Sequence, residues 1–204
     1  MTLLDLNKFP KVEDSIGWLA FNHLQEYPLL TNKGDITQRI YGCSNFLYYK
    51  ADENNPFLVE SAHLRAALNE FVSISEMIKA STDTKINRLT IENSNLPLLH
   101  FFKLLREVNF HLNSFQYDKT TTDVQSFCTT TGIIDDKVFT LTHCIIDQLN
   151  ASIFHKSKNI KYYDVEQMAT ITEWVKMKQY KWGIFHILDL ALRQYCEEIE
   201  KDCC

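Results

Sequence analysis

What most limits the fold of this chain is the return of apolar residues every three or four positions through several long segments. Leu64, Ala67, Leu68, Phe71, Ile74 and Ile78 form one such stripe, and Ile184, Ile187, Leu188, Ala191, Leu192, Tyr195 and Ile199 form another. That period belongs to helices burying one face, not to strands, whose side chains alternate between faces. Five Gly and four Pro in 204 residues leave few interruptions. The expectation is a mainly α protein, a single domain over 1–204 with one core.

The boundaries follow from caps and breakers. Val12, Ile16, Leu19, Ala20 and Leu24 predict a helix over about 11–27, closed by Pro28. After a polar turn at Asn32–Asp35, a helix over 36–50 carries Ile40, Cys43 and Leu47 beside Tyr41, Phe46, Tyr48 and Tyr49. Pro56 suits the first turn of the next helix, which runs to about Ala80. Residues 81–94 read as a polar loop with Ile91 a lone exception, and Asn95 is placed to cap a helix over 96–115. Thr120–Thr122 and the β-branched residues after them, with Gly132 and Asp135-Asp136 as turn residues, predict a β-hairpin or irregular insertion at about 119–145. Residues 138–150 also admit a helix. Asp164 and Gln167 form a capping-box start, followed by a helix to about Tyr180, a kink at Gly183 and the final stripe.

Several classes of function are disfavoured. No apolar run of about 18 residues would span a membrane, and Met1–Asp5 lacks the marks of a secretory signal, so a cytoplasmic protein is expected. Cys43, Cys128, Cys144, Cys196, Cys203 and Cys204 include no Cys-x-x-Cys pair, so reduced thiols are expected. No ligand-pair spacing supports a zinc site at His143 and Cys144, and neither metal nor cofactor is expected. A net charge of −5 argues against a protein that coats nucleic acid, though a local positive cleft remains open. No Gly-rich phosphate loop, Gly-x-Ser-x-Gly elbow or His-Glu-x-x-His is present.

The helix over 96–115 carries the chemistry. Leu98, Phe101, Phe102, Leu104, Leu105, Val108, Leu112 and Phe115 share an arc of about 160°. His100, Lys103, Arg106, Glu107, His111, Asn113 and Ser114 lie opposite. Arginine can fork onto a phosphate and histidine can move a proton near neutral pH. Arg106 and His111 stand about 140° apart, a gap that a second copy of the helix would close. Glu107, one turn before His111, can orient its imidazole, and Asn109 near the apolar margin needs hydrogen-bond partners. Leu99 and Phe110 fall within the polar arc, so another helix of this chain or a second subunit should cover them. Such an Arg and His are also common as plain surface residues. Lys156, Lys158 and Lys161 in the segment 155–163, with Lys178 and Lys181 in 176–182, alternate with aromatics. They can contact phosphates while the rings stack bases, although Lys beside Tyr is ordinary in loops and at helix ends. His63, His100 and His186 read as surface or locally satisfied histidines.

The segment Leu64-Arg65-Ala66-Ala67-Leu68-Asn69-Glu70-Phe71, followed by a helix ending in Arg106-x4-His111, resembles the HEPN superfamily (higher eukaryotes and prokaryotes nucleotide-binding domains). The resemblance covers about Phe57 to Phe115, and the helices from Asp164 by general pattern. It implies a helical bundle whose Arg-x4–6-His motifs meet across a homodimer and cut RNA without metal, as in toxin–antitoxin and phage-defence proteins. Arg106 and His111 would be catalytic, and an antitoxin or inhibitor protein is an implied partner. Glu107 departs from the Asn, Asp or His often found after the motif arginine. Family members without activity serve as modules that bind a partner protein, nucleotide or RNA, and that alternative stays open.

Overall fold

The computed structural model describes residues 4–10, 27–28, 30, 33–47, 56–111, 117–127, 134–144 and 159–203. At 56–60, 109–111, 181 and 203 and in both strands it describes the backbone path alone. The element order is α1 (Gly34–Leu47), α2 (Pro56–Ala80), α3 (Pro97–His111), β1 (Tyr117–Phe127), β2 (Ile134–Cys144) and α4 (Val165–Cys203). Short 3-10 turns lie at Leu6–Lys8, Ile91–Asn93 and Ile160–Tyr162. The protein is mainly helical. The helix expected over 11–27 lies outside the described residues.

The helices form because their stripes have one another to bury. α1 packs on α2, α3 lies between α2 and α4, and α1 also meets α4. Leu64, Ala67, Leu68, Phe71, Ile74 and Ile78 are fully buried, as are Ile184, Ile187, Leu188, Ala191, Leu192, Tyr195 and Ile199. Phe71 sits at the centre, with its ring 6.2 Å from that of Phe102 and 6.1 Å from that of Tyr195. Aromatic rings at such spacing add edge-to-face attraction to their burial.

The hairpin forms as one antiparallel pair, from Tyr117 opposite Cys144 to Phe127 opposite Ile134, and β2 packs against α4. Strand, not helix, is therefore the outcome for 138–144. Asp135 and Asp136 do not make the turn but pair with Ser126 and Gln125 inside the ladder.

Two further expectations need correction. Residues 81–94 are not a solvated loop, since Ile86, Leu89 and Ile91 are all buried. Their backbone is tied down by Tyr195 Oη, which donates to the Leu89 carbonyl at 2.9 Å, and by Ser75 Oγ, which accepts from Ile91 N at 2.9 Å. Asn95 does not cap α3. Its side chain accepts from Lys8 Nζ at 2.7 Å and its carbonyl from Asp5 N at 3.0 Å, holding the N-terminal segment. Leu99 is fully buried within this chain, the first of the two covers expected for it. The side chain of Phe110 lies outside the described residues.

Asp164 starts α4 as expected, its Oδ1 accepting from Gln167 N at 2.9 Å. The Gln167 side chain does not complete the box. Its amide instead pairs with Leu4, accepting from the backbone N–H at 3.2 Å and donating to the carbonyl at 3.0 Å. The break in α4 is at Gly183, with φ 73° and ψ 155°, a region that side-chain-bearing residues avoid. Gly183→Ala is expected to lower stability by about 1–3 kcal/mol, read as a shift in the urea midpoint with an unchanged slope.

Candidate functional site

α3 is not an ordinary amphipathic helix with one wet face. The polar arc of its first turns is roofed by the 91–94 turn on one side and by residues 159–163 on the other. His100, expected as a surface or locally satisfied histidine, is fully buried. Its Nε2 lies 2.8 Å from the Ser94 carbonyl and its Nδ1 2.8 Å from Tyr163 Oη. A carbonyl can only accept, so Nε2 carries the hydrogen and Nδ1 accepts from the tyrosine. Burial, reinforced by the Lys103 charge, pulls the imidazole down to about 4 despite the opposing pull of Ser94 and Glu92. His100 is thus neutral and structural, as one of its two sequence readings allowed. Lys103 Nζ pairs with Glu92 Oε1 at 2.5 Å and is largely covered. Burial of the Glu92 carboxyl raises its pKa, but the Lys103 hydrogen bond and charge, with backbone and Thr90 hydrogen bonds, prevail and leave it lowered.

The roof ends where the motif begins. Arg106 is half-buried on the α2 side, and its Nε donates to Asn69 Oδ1 at 3.2 Å. Glu107, one residue on and therefore about 100° around the helix, faces the other way and accepts from Asn159 Nδ2. The two motif neighbours are held by different elements, Arg106 by α2 and Glu107 by the segment before α4.

His111 is the last residue of α3, so Arg106 and His111 do share one helix. The side chains of His111 and Asn109 lie outside the described residues. Lys156 and Lys158 also lie outside them. Lys161 is exposed on the 3-10 turn Ile160–Tyr162. Lys178 is half-buried on the first half of α4, and Lys181 is carried by the same helix, its side chain outside the described residues. The geometry therefore brings Glu107 and Asn159 together on one flank of α3, and Arg106 and Asn69 on another.

Sequence reasoning missed Asn69 and Asn159. A signal for Asn69 was present, since Asn is a poor helix former and its place inside Leu68-Asn69-Glu70-Phe71 invites a side-chain partner. Nothing local marks Asn159, which reaches α3 from far along the chain.

A groove of about 570 Å³ lies at the other end of α3, lined by Lys8, Phe9, Leu96, Gln194, Glu198 and Lys201 among others. Its charges are mixed and it is remote from Arg106, so it adds nothing to this site. Among the described residues, no group of three or more His, Cys, Asp or Glu is placed to hold a metal. Among them too, no helix is long and apolar enough to cross a membrane. Comparison with protein families, curated proteins and solved structures found no match to this chain.

Proposed function

We propose that this protein is a metal-independent endoribonuclease of toxin or defence type, acting through Arg106 and His111 with two copies of the motif sharing a cleft in a homodimer. The observation that carries the reading is the Arg106–Asn69 hydrogen bond. It fixes the plane of the motif guanidinium at the α2/α3 junction, on the helix that ends in His111. An arginine held by its Nε is oriented before a phosphate arrives, and preorganised charge is worth most to a developing phosphoryl dianion.

In this mechanism Arg106 stabilises charge on the phosphoryl oxygens. His111 takes the proton from the 2′-hydroxyl as that oxygen attacks phosphorus, or returns one to the departing 5′-oxygen. An imidazole, whose unperturbed pKa is about 6.5, suits either task. The products are a 2′,3′-cyclic phosphate and a 5′-hydroxyl. DNA lacks the attacking group and is spared. An antitoxin or inhibitor protein is the partner such an activity calls for.

The test is cleavage of total cellular RNA in EDTA by wild type beside His111→Ala. Wild type is expected to leave cyclic-phosphate ends and spare a DNA of the same sequence, and the variant to lose about 100-fold or more in rate. Cleavage that persists in the variant would remove His111 from the mechanism.

A second reading rests on Glu107. Its carboxylate follows Arg106 directly in sequence and is fixed by Asn159, adding a negative charge to a helix that would have to receive a phosphate. That favours a module that binds a partner protein, nucleotide or RNA without cutting. RNA retained but never cleaved by wild type would select it.

A further inference from the structure

We infer that Tyr162 is a stacking platform for an unpaired base of single-stranded RNA, beside the motif helix. This rests on the reading of the α3 site as one that receives RNA, but not on cleavage.

Residues 159–163 are fastened to α3 at both ends. Asn159 Nδ2 donates to Glu107, and Tyr163 Oη donates to His100 Nδ1 at 2.8 Å. Between them the backbone closes on itself, with Tyr162 N donating to the Asn159 carbonyl at 3.0 Å and Tyr163 N to the Ile160 carbonyl at 2.9 Å. Positions 100 and 107 are seven residues apart, about 10 Å along the helix axis. Tyr162 therefore stands over the face that positions 100 and 107 share, about 100° around the helix from Arg106.

The same geometry turns Tyr162 outward. Tyr163 and Tyr195 are buried, whereas Tyr162 is 51% exposed on a turn fastened at both ends. Lys161 Nζ lies 5.0 Å from the centre of its ring. A base laid on that ring brings its phosphate towards an ammonium already in place. Ring plus cation is the pairing by which proteins hold unpaired nucleotides without reading sequence, each stacked base contributing a large share of the affinity. A protein surface would use the ring equally well, but the cation beside it favours a polyanion. The small number of positive groups fits a short site on an acidic protein, not one that coats nucleic acid.

The experiment uses the full-length protein and a fluorescein-labelled single-stranded RNA of mixed sequence with every 2′-hydroxyl methylated, so that it can bind but not be cut. Binding is followed by fluorescence anisotropy for wild type, Tyr162→Ala and Tyr162→Phe, and cleavage of unmodified RNA is measured in parallel. Tyr162→Ala should weaken binding about tenfold, and Tyr162→Phe, which keeps the ring, should stay within about twofold of wild type. Equal binding by wild type and Tyr162→Ala overturns the platform and leaves the ring to a protein partner. Loss in both variants also overturns it, since the hydroxyl and not the ring would then matter. Cleavage with unchanged binding in Tyr162→Ala would refute the platform alone. Tyr162-dependent binding without cleavage would refute the nuclease alone. A wild type that neither binds nor cleaves would refute both.

Discussion

Arg106→Ala is expected to slow RNA cleavage by about 100- to 1,000-fold, the loss typical when one preorganised donor to a developing oxyanion is removed. Arg106→Lys should rescue little of it. Lysine keeps the charge but has no Nε–H to give Asn69 and no planar fork for a phosphate. Asn69 makes the sharper test, because it holds the guanidinium without needing to touch RNA. Asn69→Ala should cost about tenfold in kcat with KM nearly unchanged, and Asn69→Asp, which keeps an acceptor facing Nε, should recover most of that loss. Fully active Arg106→Lys, or Asn69→Asp no better than Asn69→Ala, would mean that the hydrogen bond serves only to join α2 to α3. Urea unfolding of the same variants separates the two roles, since a purely structural contact would move stability and leave kcat of the folded enzyme alone.

That test turns on a pair of residues of which the sequence displays one. Helical stripes were legible because the period of an amphipathic helix is local. Leu64 to Ile78 and Ile184 to Ile199 are buried as their spacing demands, and Gly183 breaks α4 where a lone glycine interrupts the pattern. The hairpin too was visible in its Thr-rich, β-branched run, although two of the residues read as its turn, Asp135 and Asp136, pair across the ladder. What could not be read was which polar face stays wet. A helical wheel puts His100 and Lys103 opposite the core stripe, but the 91–94 and 159–163 segments fold over that side. The wheel knows nothing of segments that arrive from elsewhere. Lys103 finds Glu92 eleven residues back, and His100 finds Tyr163 across 63 positions. Asn95 failed as a cap for a similar reason, since Lys8 and Asp5 engage it from the N-terminal segment. Of the site itself, the sequence displays Arg106 and its helix, while its supports, Asn69 and Asn159, come from tertiary contact.

The other large effect concerns His100. At pH 7.5, His100→Leu should destabilise the protein by about 2–5 kcal/mol. It keeps an apolar side chain of similar reach but strands the Ser94 carbonyl and the Tyr163 hydroxyl in a closed interior, each worth about 1–3 kcal/mol. The pH dependence gives this expectation a second edge. The folded-state imidazole is held down to about 4, chiefly by burial, while an unfolded one titrates near about 6.5. Above that upper value both states are neutral and the full contribution of His100 is present. As pH falls from about 6.5 to about 4 the unfolded chain takes up a proton that the folded one refuses, so stability declines. Below about 4 both are charged and the decline stops. Over that window the linkage amounts to about 3 kcal/mol. His186, also lowered to about 4 by burial and the nearby Arg193 against the pull of Asp189, declines in the same range. It does so equally in wild type and variant, and cancels between them. Urea unfolding at pH 7.5 and pH 4.5 should therefore show the gap between wild type and His100→Leu narrowing in acid by about 2–3 kcal/mol. A gap that stays constant would mean that His100 is not the buried neutral acceptor of the Tyr163 hydroxyl. The tether that presents Tyr162 beside α3 would then have one secure end, at Asn159, instead of two.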